Sequence, residues 1–376
     1  MTDSFIISAA RTAVVPRGGT FAHLAIQDLA KPVLLACLDR CGVDAGDVDE
    51  IIVGNALGAG GNPARLVSLA AGFNERIAGL TIDRQCCSGM DAINLADAMI
   101  KSGQARIVIA GGVESYSRRP LRSQTFFDNR APVPYDQPAF TPWPDRDPDM
   151  TVAADQLAHR FDISREEQDA WAVASHQKAR ASQARLSKEI VPIENVEIDA
   201  FTRNLTEKTC ARVVPMVGNI TPANSSVAAD AAAFCVVVSR DVAKSLQGAA
   251  VEIMSGRTIG GQPDCPGIAP VAAIREVLSN AKLRPDDINV AEVMEAYAAQ
   301  AIACVSQTGL NPDLVNLGGG SLARGHPIGA SGAINTVRLY HELIRCGGHG
   351  NCSNRSCGWF RNRAAFAGLI VESVKA

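Results

Sequence analysis

The chain has 376 residues, of which 47% are hydrophobic and 20% charged, and its formal net charge is -3. This composition is that of a globular protein, and at roughly 150 residues per domain the length predicts two or three domains with a sizeable core. A slightly acidic chain lacks the basic footprint of a nucleic-acid-binding protein. Its longest apolar runs, near residues 107–113 and 231–238, are shorter than the roughly 20 residues that a membrane-spanning helix needs.

The first residues and the cysteine count bear on localisation. The N-terminal stretch MTDSFIISAARTAVVP contains an early acidic residue and has no basic segment before its apolar part, unlike a secretion signal. Eleven cysteines without such a signal indicate free thiols in a reducing compartment. The sequence therefore predicts a cytoplasmic protein that binds neither membrane nor nucleic acid.

Short β-rich runs alternate with amphipathic helical segments in the first third of the chain. In chain order, the pattern predicts a strand at 5–8, a helix at 24–40, a strand at 50–54 that enters a glycine-rich turn, and a strand at 107–110. This alternation is typical of an α/β fold.

The segment from about residue 118 to 228 has a different composition, because most of the prolines and several aromatic residues lie there. Helices are predicted at 151–161 and 164–186, and Ser164 with Glu167 has the pattern of a helix-start capping box. We expect this segment to be an insertion packed over the α/β core.

An α/β pattern resumes near Val251. It predicts a helix that ends at 278–281, a strand at 291–294, a helix at 295–307 and a strand at 315–317, followed by a glycine-rich loop. Periodicity alone leaves open whether the two α/β halves are one fold used twice.

Two adjacent cysteines follow a short predicted strand in the stretch TIDRQCCSGM, residues 81–90. A helix is predicted to begin directly after them, which places Cys86 at a helix N-terminus. The free N–H groups and the dipole of such a helix stabilise a thiolate and lower the pKa of the thiol. The alternative is a pair of buried structural cysteines, since a buried cysteine is usually inert.

A nucleophilic cysteine needs a base, and His326 lies in the glycine-dense stretch GGGSLARGHPIGASG, residues 318–332. So many glycines are costly in backbone entropy unless the loop brings its backbone close to something. Taken alone, this loop is equally a phosphate cradle or a turn with a structural histidine. The residues by themselves leave these alternatives open.

Several stretches of the chain resemble the thiolase family. Residues 84–120 are similar to its nucleophile region: cysteine, small residue, Ser-Gly-Met, helix, strand, then AGG-x-E-S-x-S. GHPIGASGA at 325–333 is similar to the family's histidine motif nearly letter for letter, and IISAARTAV at 6–14 and SREEQDAWAVASHQKA at 164–179 are also similar. The resemblance covers residues 1 to about 340.

This resemblance implies an α/β fold with a five-layered αβαβα core of two similar halves and an inserted loop domain. The first half is expected at 1–117 plus 229–250 with the nucleophilic cysteine, the loop domain over coenzyme A at 118–228, and the second half at 251–376 with the catalytic histidine. A homodimer or homotetramer is implied as well.

The resemblance also implies a coenzyme A site. DMTVAA at 149–154 is similar to a stretch whose methionine lines the pantetheine site, which indicates Met150. TPANSS at 221–226 is similar to T-A-G-N-A-S, whose last serine contacts coenzyme A, which indicates Ser226. Met294 and Gly325 are assigned to the same substrate site. The coenzyme A thioester is then a substrate, and no metal or redox cofactor is implied.

Met294 is the first departure from the family pattern. Thiolases have N-E-A-F-A where this chain has MEAYA at 294–298. The family asparagine holds a water that forms an oxyanion hole with the histidine, whereas a thioether is only a weak acceptor. Loss of one oxyanion-hole donor typically costs about 10²–10³ in rate.

The second departure concerns a second catalytic cysteine, which thiolases carry in a C-x-G motif near the C-terminus. Cys357 takes that role only if this chain has a small insertion relative to the family pattern, and Cys352 is a weaker alternative. Cys346, His349, Cys352 and Cys357 also form a possible zinc-ligand set, although their spacing matches no named zinc motif. An altered reading frame is a further explanation of this polar stretch, which covers residues 346–363. We predict no metal site.

The leading hypothesis is an acyl-CoA acyltransferase of the thiolase type, in which Cys86 carries the acyl group and His326 takes its proton. The acyl group then passes to coenzyme A or to the α-carbon of a second acyl-CoA. Two alternatives are a thiolase-like acyltransferase without efficient carbon–carbon chemistry, which Met294 favours, and a silent subunit that binds coenzyme A.

Overall fold

The computed structural model describes residues 3–58, 60–246, 248–347, 363–366 and 369–374, with the backbone alone for residues 346–347, 363–366 and 369–374. Among these residues, no helix combines the length and the apolar character needed to cross a bilayer.

The elements of the chain fall into three groups. The first group is β1 (Ser4–Arg11), β2 (Val15–Pro16), α1 (Ile26–Cys41), β3 (Glu50–Gly54), α2 (Pro63–Ala70), β4 (Ala78–Ile82), α3 (Ser88–Lys101) and β5 (Ile107–Ser115). The second is β6 (Arg122–Gln124), β7 (Val133–Tyr135), α4 (Met150–Arg160), α5 (Arg165–Ala181), α6 (Gln183–Leu186) and α7 (Glu207–Cys210). The third is β8 (Ala229–Ser239), α8 (Arg240–Leu246), β9 (Ala250–Gly256), α9 (Ala269–Asn280), β10 (Val290–Glu292), α10 (Ala298–Thr308), α11 (Ser321–Arg324), α12 (Ile328–Gly347), β11 (Arg363–Phe366) and β12 (Leu369–Val374).

The main strands hydrogen-bond in the order β10-β11-β12-β9-β1-β8-β5-β3-β4, and β2 pairs with β8. β3 runs parallel to β4 and β5, whereas β8 is antiparallel to β5 and β1. The junction between β1 and β9 is short, with Phe5 opposite Glu252 and Ile6 opposite Val251. The strands of the two halves therefore meet along a narrow antiparallel contact.

Helices cover these strands in layers. α1 and α2 pack on one face of the first-half strands, and α3 and α12 pack on the other face. α12 also contacts β10, β11 and β12, and α9 and α10 form a further core with β10. Every residue of β5 and β8 is buried, because helices cover both faces of these strands. The predicted α/β fold with a five-layered core is thereby confirmed.

Most of the predicted elements are present near their expected bounds. The strand at 50–54 is β3, and the predicted capping box begins α5: the hydroxyl of Ser164 accepts from N of Glu167 (3.1 Å), and the Glu167 carboxylate accepts from N of Ser164 (2.8 Å). The predicted strand at 315–317 is wrong. Val315 forms a single bridge, and Asn316 turns the chain at a φ of 49°.

The segment 118–228 leaves the sheet between the neighbouring strands β5 and β8. Its helices α4 and α5 pack against α10, and α5 also packs against α11. The domain boundaries given by the sequence stay a prediction, but this packing brings the segment close to the loop that carries His326.

Candidate active site

Cys86 lies in a tight turn between β4 and α3. The turn Gln85–Cys87 is a single 3₁₀ turn, and Gln85 adopts the left-handed conformation with a φ of 50°. The hydroxyl of Ser88 accepts from N of Arg84 (2.8 Å) and donates to the carbonyl oxygen of Gln85 (2.6 Å). These bonds close the turn and hold Cys86 directly before the first turn of α3, as the sequence predicts.

His326 is placed by its own backbone beside the start of β8. Its N–H donates to the carbonyl oxygen of Val227 (2.8 Å). The preceding Gly325 has a φ of 110°, and a Cβ atom there would lie 2.9 Å from Cβ of Ala229. Only glycine combines that backbone conformation with so close an approach, which accounts for Gly325 in the motif.

The two predicted catalytic residues meet although 240 positions separate them. Nε2 of His326 lies 3.0 Å from Sγ of Cys86, and Nδ1 lies 2.6 Å from the hydroxyl of Ser331. Ser331 donates its own proton to the carbonyl oxygen of Pro327 (2.9 Å), so its oxygen accepts from an Nδ1–H group. The lone pair of Nε2 then faces the thiol, which is the orientation a general base needs.

Burial sets the protonation of this pair. Burial raises the pKa of the Cys86 thiol to about 12, and it lowers the pKa of His326 to about 4, with the nearby charge of Arg324 acting in the same direction. The sequence-based expectation of a lowered thiol pKa is therefore wrong, because burial outweighs the effect of the helix start. With these pKa values both groups are neutral near pH 7, so the resting pair is a thiol beside a neutral imidazole.

The first turns of α3 and α12 touch backbone to backbone. A Cβ atom on Gly89 would lie 2.8 Å from N of Ala333, and one on Gly332 would lie 2.7 Å from N of Met90. Because glycine at these positions permits the contact, two helix N-termini converge beside Cys86. The positive ends of two helix dipoles therefore lie near the sulfur and favour negative charge there.

Met294 lies in the extended turn between β10 and α10. Its sulfur accepts from the hydroxyl of Ser321 (3.2 Å), and that hydroxyl oxygen accepts from N of Glu295 (3.2 Å). A weak sulfur acceptor therefore stands where the resemblance predicts an asparagine.

The residues assigned to coenzyme A lie around the same turn. Both N and the hydroxyl of Ser226 donate to the carbonyl oxygen of Ala296, at 2.9 and 3.1 Å. Met150 is the first residue of α4, and the hydroxyl of the next residue, Thr151, lies 3.3 Å from that of Tyr297. Ser226, Met150 and Gly325 thus surround one region, and their roles in binding stay predictions.

The prediction for Cys357 lies outside the described residues, as do His349, Cys352 and the side chain of Cys346. Within the part of the chain that the structure describes, no group of three or more His, Cys, Asp or Glu side chains is placed to hold a metal ion.

Sequence reasoning missed two residues that support the site. Ser331 orients His326. The sequence feature that could have indicated it is a hydroxyl residue five positions after the histidine, at the start of a helix. Glu295 is buried and accepts from Nε1 of Trp171 (3.0 Å), the hydroxyl of Ser175 (2.8 Å) and Nδ2 of Asn316 (2.7 Å). An acidic residue within an otherwise apolar run was its signal.

Comparison with known proteins agrees with this geometry. Models of the "Thiolase, N-terminal domain" and the "Thiolase, C-terminal domain" match residues 4–241 and 248–358. The chain is 35% identical over 355 residues to "Putative acetyl-CoA C-acetyltransferase VraB" of Staphylococcus aureus (strain MW2), covering 91% of this chain and 93% of that protein. It is 38% identical over 352 residues to "Putative acetyl-CoA C-acetyltransferase YhfS" of Bacillus subtilis (strain 168), covering 91% and 92%.

A solved structure is similar over the whole length. The crystal structure of the Bacillus anthracis acetyl-CoA acetyltransferase superposes with a TM-score of 0.88 at 31% identity, covering 100% of this chain and 99% of that one. The fold and the matches define a thiolase-type acyltransferase. This chain belongs to the thiolase family.

Proposed function

We propose that the acyl group of an acyl-CoA is carried on Cys86. His326 takes the thiol proton as the sulfur attacks the thioester carbonyl, and coenzyme A leaves as the thiol with a proton returned to it. In condensation, the acyl-cysteine gives its acyl group to the α-carbon of a second acyl-CoA, which loses its α-proton, and the Cys86 thiol is freed. In thiolysis, the sulfur instead attacks the 3-keto carbonyl of a 3-ketoacyl-CoA, the C2–C3 bond breaks, and the shorter acyl-CoA leaves with a proton at C2. The acyl-cysteine then gives its acyl group to coenzyme A. The 3.0 Å contact between Cys86 and His326 is the observation that carries this proposal.

The orientation of His326 argues for an active acyltransferase rather than a silent subunit. A histidine with its Nδ1–H bonded to Ser331 and its Nε2 aimed at a thiol is arranged for proton transfer. Coenzyme A is on this proposal a substrate, and the reaction uses no redox step.

Intact-protein mass spectrometry after incubation with acetyl-CoA tests the proposal. The wild-type chain is expected to gain one acetyl group and to release free coenzyme A, and Cys86→Ala is expected to do neither. Cys87→Ala is the matched control, because it removes the adjacent thiol and is expected to load normally. An unmodified wild-type protein, or equal loading of Cys86→Ala, contradicts the assignment. Assay of 3-ketoacyl-CoA separates full thiolase turnover from acyl transfer alone.

A homodimer is part of this proposal. β4 ends the hydrogen-bonded strand order, and large apolar side chains are exposed on it and on the adjacent α2: Leu66 is 48%, Leu69 44% and Leu80 42% exposed. An open strand edge with apolar neighbours favours pairing with a second copy. Light scattering after size-exclusion chromatography measures the mass, and Leu80→Lys is expected to shift it toward the monomer.

We also propose a cytoplasmic location, on the basis of the cysteine content.

A further inference from the structure

A second ionisable group lies behind the Cys86–His326 pair. Glu114, near the end of β5, is 1% exposed, and the proposed reaction does not use it. Its Oε1 accepts hydrogen bonds from Nδ2 of Asn55 (2.9 Å) and N of Leu57 (3.2 Å). Its Oε2 accepts from N of Ala56 (3.1 Å) and N of Gly329 (2.9 Å). Four donors therefore share one buried carboxylate.

These donors belong to two separate parts of the chain. Asn55, Ala56 and Leu57 follow β3, whereas Gly329 is the second residue of α12 and lies three positions after His326. The N–H of Gly329 is among the first N–H groups of a helix, which have no partner within the helix. A carboxylate there satisfies the donor and interacts favourably with the helix dipole. Glu114 thus fastens the first turn of α12 to β5.

The space around the hydrogen bond between Gly329 and Glu114 is narrow. A Cβ atom on Gly112, also on β5, would lie 2.1 Å from the carbonyl oxygen of Gly329. One on Gly329 itself would lie 2.9 Å from the Glu114 carboxylate and 2.8 Å from Cα of Asn55. The first turn of α12 is therefore held against β5 both by backbone contact at Gly112 and by the Glu114 carboxylate.

We propose that Glu114 is a positioning residue that holds His326 against Cys86 by fastening the first turn of α12 to β5 and to the loop after β3. This inference rests on the roles proposed above for Cys86 and His326. A shift of about 1 Å in a catalytic group is enough to cost about 10² in rate. The loss of one buried carboxylate thus acts on catalysis although that carboxylate touches no reacting atom.

The charge of Glu114 gives a second readout. Burial is the largest cause of the raised pKa of Cys86, and the negative charges of Cys87 and Glu114 add to it. Burial also raises the pKa of Glu114 to about 7, against the opposing effect of its backbone hydrogen bonds. Other ionisable groups interact with Cys86 or Glu114 as well. The charge of Asp83 adds to the burial that raises the pKa of Glu114, and the charge of Cys86 adds to the burial that raises the pKa of Tyr297. His326 contacts Cys86 directly. Removal of the Glu114 charge therefore lowers the pKa of the Cys86 thiol.

Glu114→Gln tests both effects. Glutamine keeps one acceptor oxygen but turns an NH₂ group toward two N–H donors, so it disturbs the fastening without a change of size. At about pH 8, where the wild-type carboxylate is ionised, kcat is expected to fall by about tenfold or more while KM for coenzyme A changes by less than about twofold. The pH midpoint of Cys86 alkylation by iodoacetamide is expected to move lower.

Glu75→Gln is the matched control, because Glu75 is exposed; neither readout is expected to change. A folded Glu114→Gln variant with wild-type kcat and a wild-type alkylation midpoint overturns the proposal. If that variant does not fold, Asn55→Ala decides: it removes one donor and leaves the carboxylate, and a wild-type kcat in it overturns the proposal. Failure of the wild-type protein to load acetyl refutes instead the roles of Cys86 and His326, whereas normal loading and turnover in both proteins refute only that of Glu114.

Discussion

The hydroxyl of Ser331 lies 2.6 Å from Nδ1 of His326 and gives its own proton to the carbonyl oxygen of Pro327. One side chain thereby decides which nitrogen of the imidazole carries hydrogen. Ser331→Ala removes the acceptor for Nδ1–H, so the ring loses its fixed tautomer and orientation. Acyl loading of Cys86 is expected to slow by about tenfold or more, within the range that general-base catalysis contributes.

Rapid-quench mass spectrometry of the acyl-enzyme measures this effect. Thr336→Val is the matched control: Thr336 is a buried hydroxyl residue on the same helix, and its hydroxyl donates to the carbonyl oxygen of Gly332 rather than to His326. It is expected to load at the wild-type rate. Equal rates for Ser331→Ala and wild type would show that Ser331 does not orient the base.

Met294→Asn is expected to increase turnover. The sulfur of Met294 occupies the turn that faces Ser321, and asparagine there supplies a donor and an acceptor for a water beside the histidine. Since one oxyanion-hole donor is typically worth about 10²–10³ in kcat, an increase of about tenfold is a moderate expectation. Steady-state thiolysis of a 3-ketoacyl-CoA measures it. Met294→Leu, which lacks both groups, should not reproduce the gain, and a decrease in Met294→Asn would sink the idea.

Arg11 is expected to be essential for stability. It is fully buried, and its guanidinium contacts the carboxylates of Glu189 (2.7 Å) and Asp199 (2.7 Å). Arg11→Met removes the counter-charge that Asp199 faces inside the protein and leaves Glu189 paired with Arg338, and breaking a buried ion pair in this way typically costs about 3–5 kcal/mol. Urea unfolding measures the loss. Arg257→Met, which breaks the exposed pair with Glu276, is expected to cost about 1 kcal/mol or less, and equal losses would contradict the prediction.

Glu292 is expected to make stability depend on pH. Burial raises its pKa to about 7, although Arg338 and Arg324 oppose this, and neither carboxylate oxygen has a hydrogen-bond partner among the described residues. The folded protein therefore holds this proton at pH values where the unfolded chain has released it. The contribution to stability is fully present below the unfolded pKa and is lost as pH rises through about 7.

Glu292→Gln removes that dependence. Relative to the variant, the wild-type protein is expected to lose stability as the pH rises from about 4.5 to about 7, with no further change above. Urea midpoints of the two proteins, measured in parallel across this window, give the difference. A constant difference would mean that Glu292 is ionised throughout.

The proposed catalytic residues, Cys86 and His326, were predictable from the sequence because their motifs resemble those of the thiolase family. The local patterns alone, a strand followed by a helix and a glycine-rich loop, also fit structural cysteines and a structural histidine. The strand at 50–54 was equally clear, since a short apolar run entering a turn has few other solutions.

Properties that depend on distant contacts were not predictable. The raised pKa of Cys86 results from burial by elements far away in the chain, and a helix-start pattern carries no information about it. Asn316 was taken as part of a strand, but its side chain bonds to N and O of Val293 (2.8 and 2.9 Å), which favours a turn. Ser331 reaches His326 because the start of α12 places the two side chains together, and only the folded chain defines that placement.

Cys86 lies in the stretch that matches the N-terminal thiolase domain and His326 in the stretch that matches the C-terminal one. Among the described residues, β1 and β9 join these two halves of the sheet at two residue pairs. A chain in which only the first half has folded holds its nucleophile without a base. On the proposed roles, the burial that raises the pKa of Cys86 and the base that takes its proton both come into being only once α12 is seated. Acyl loading of Cys86 is then an activity that the chain gains only when both halves have folded together.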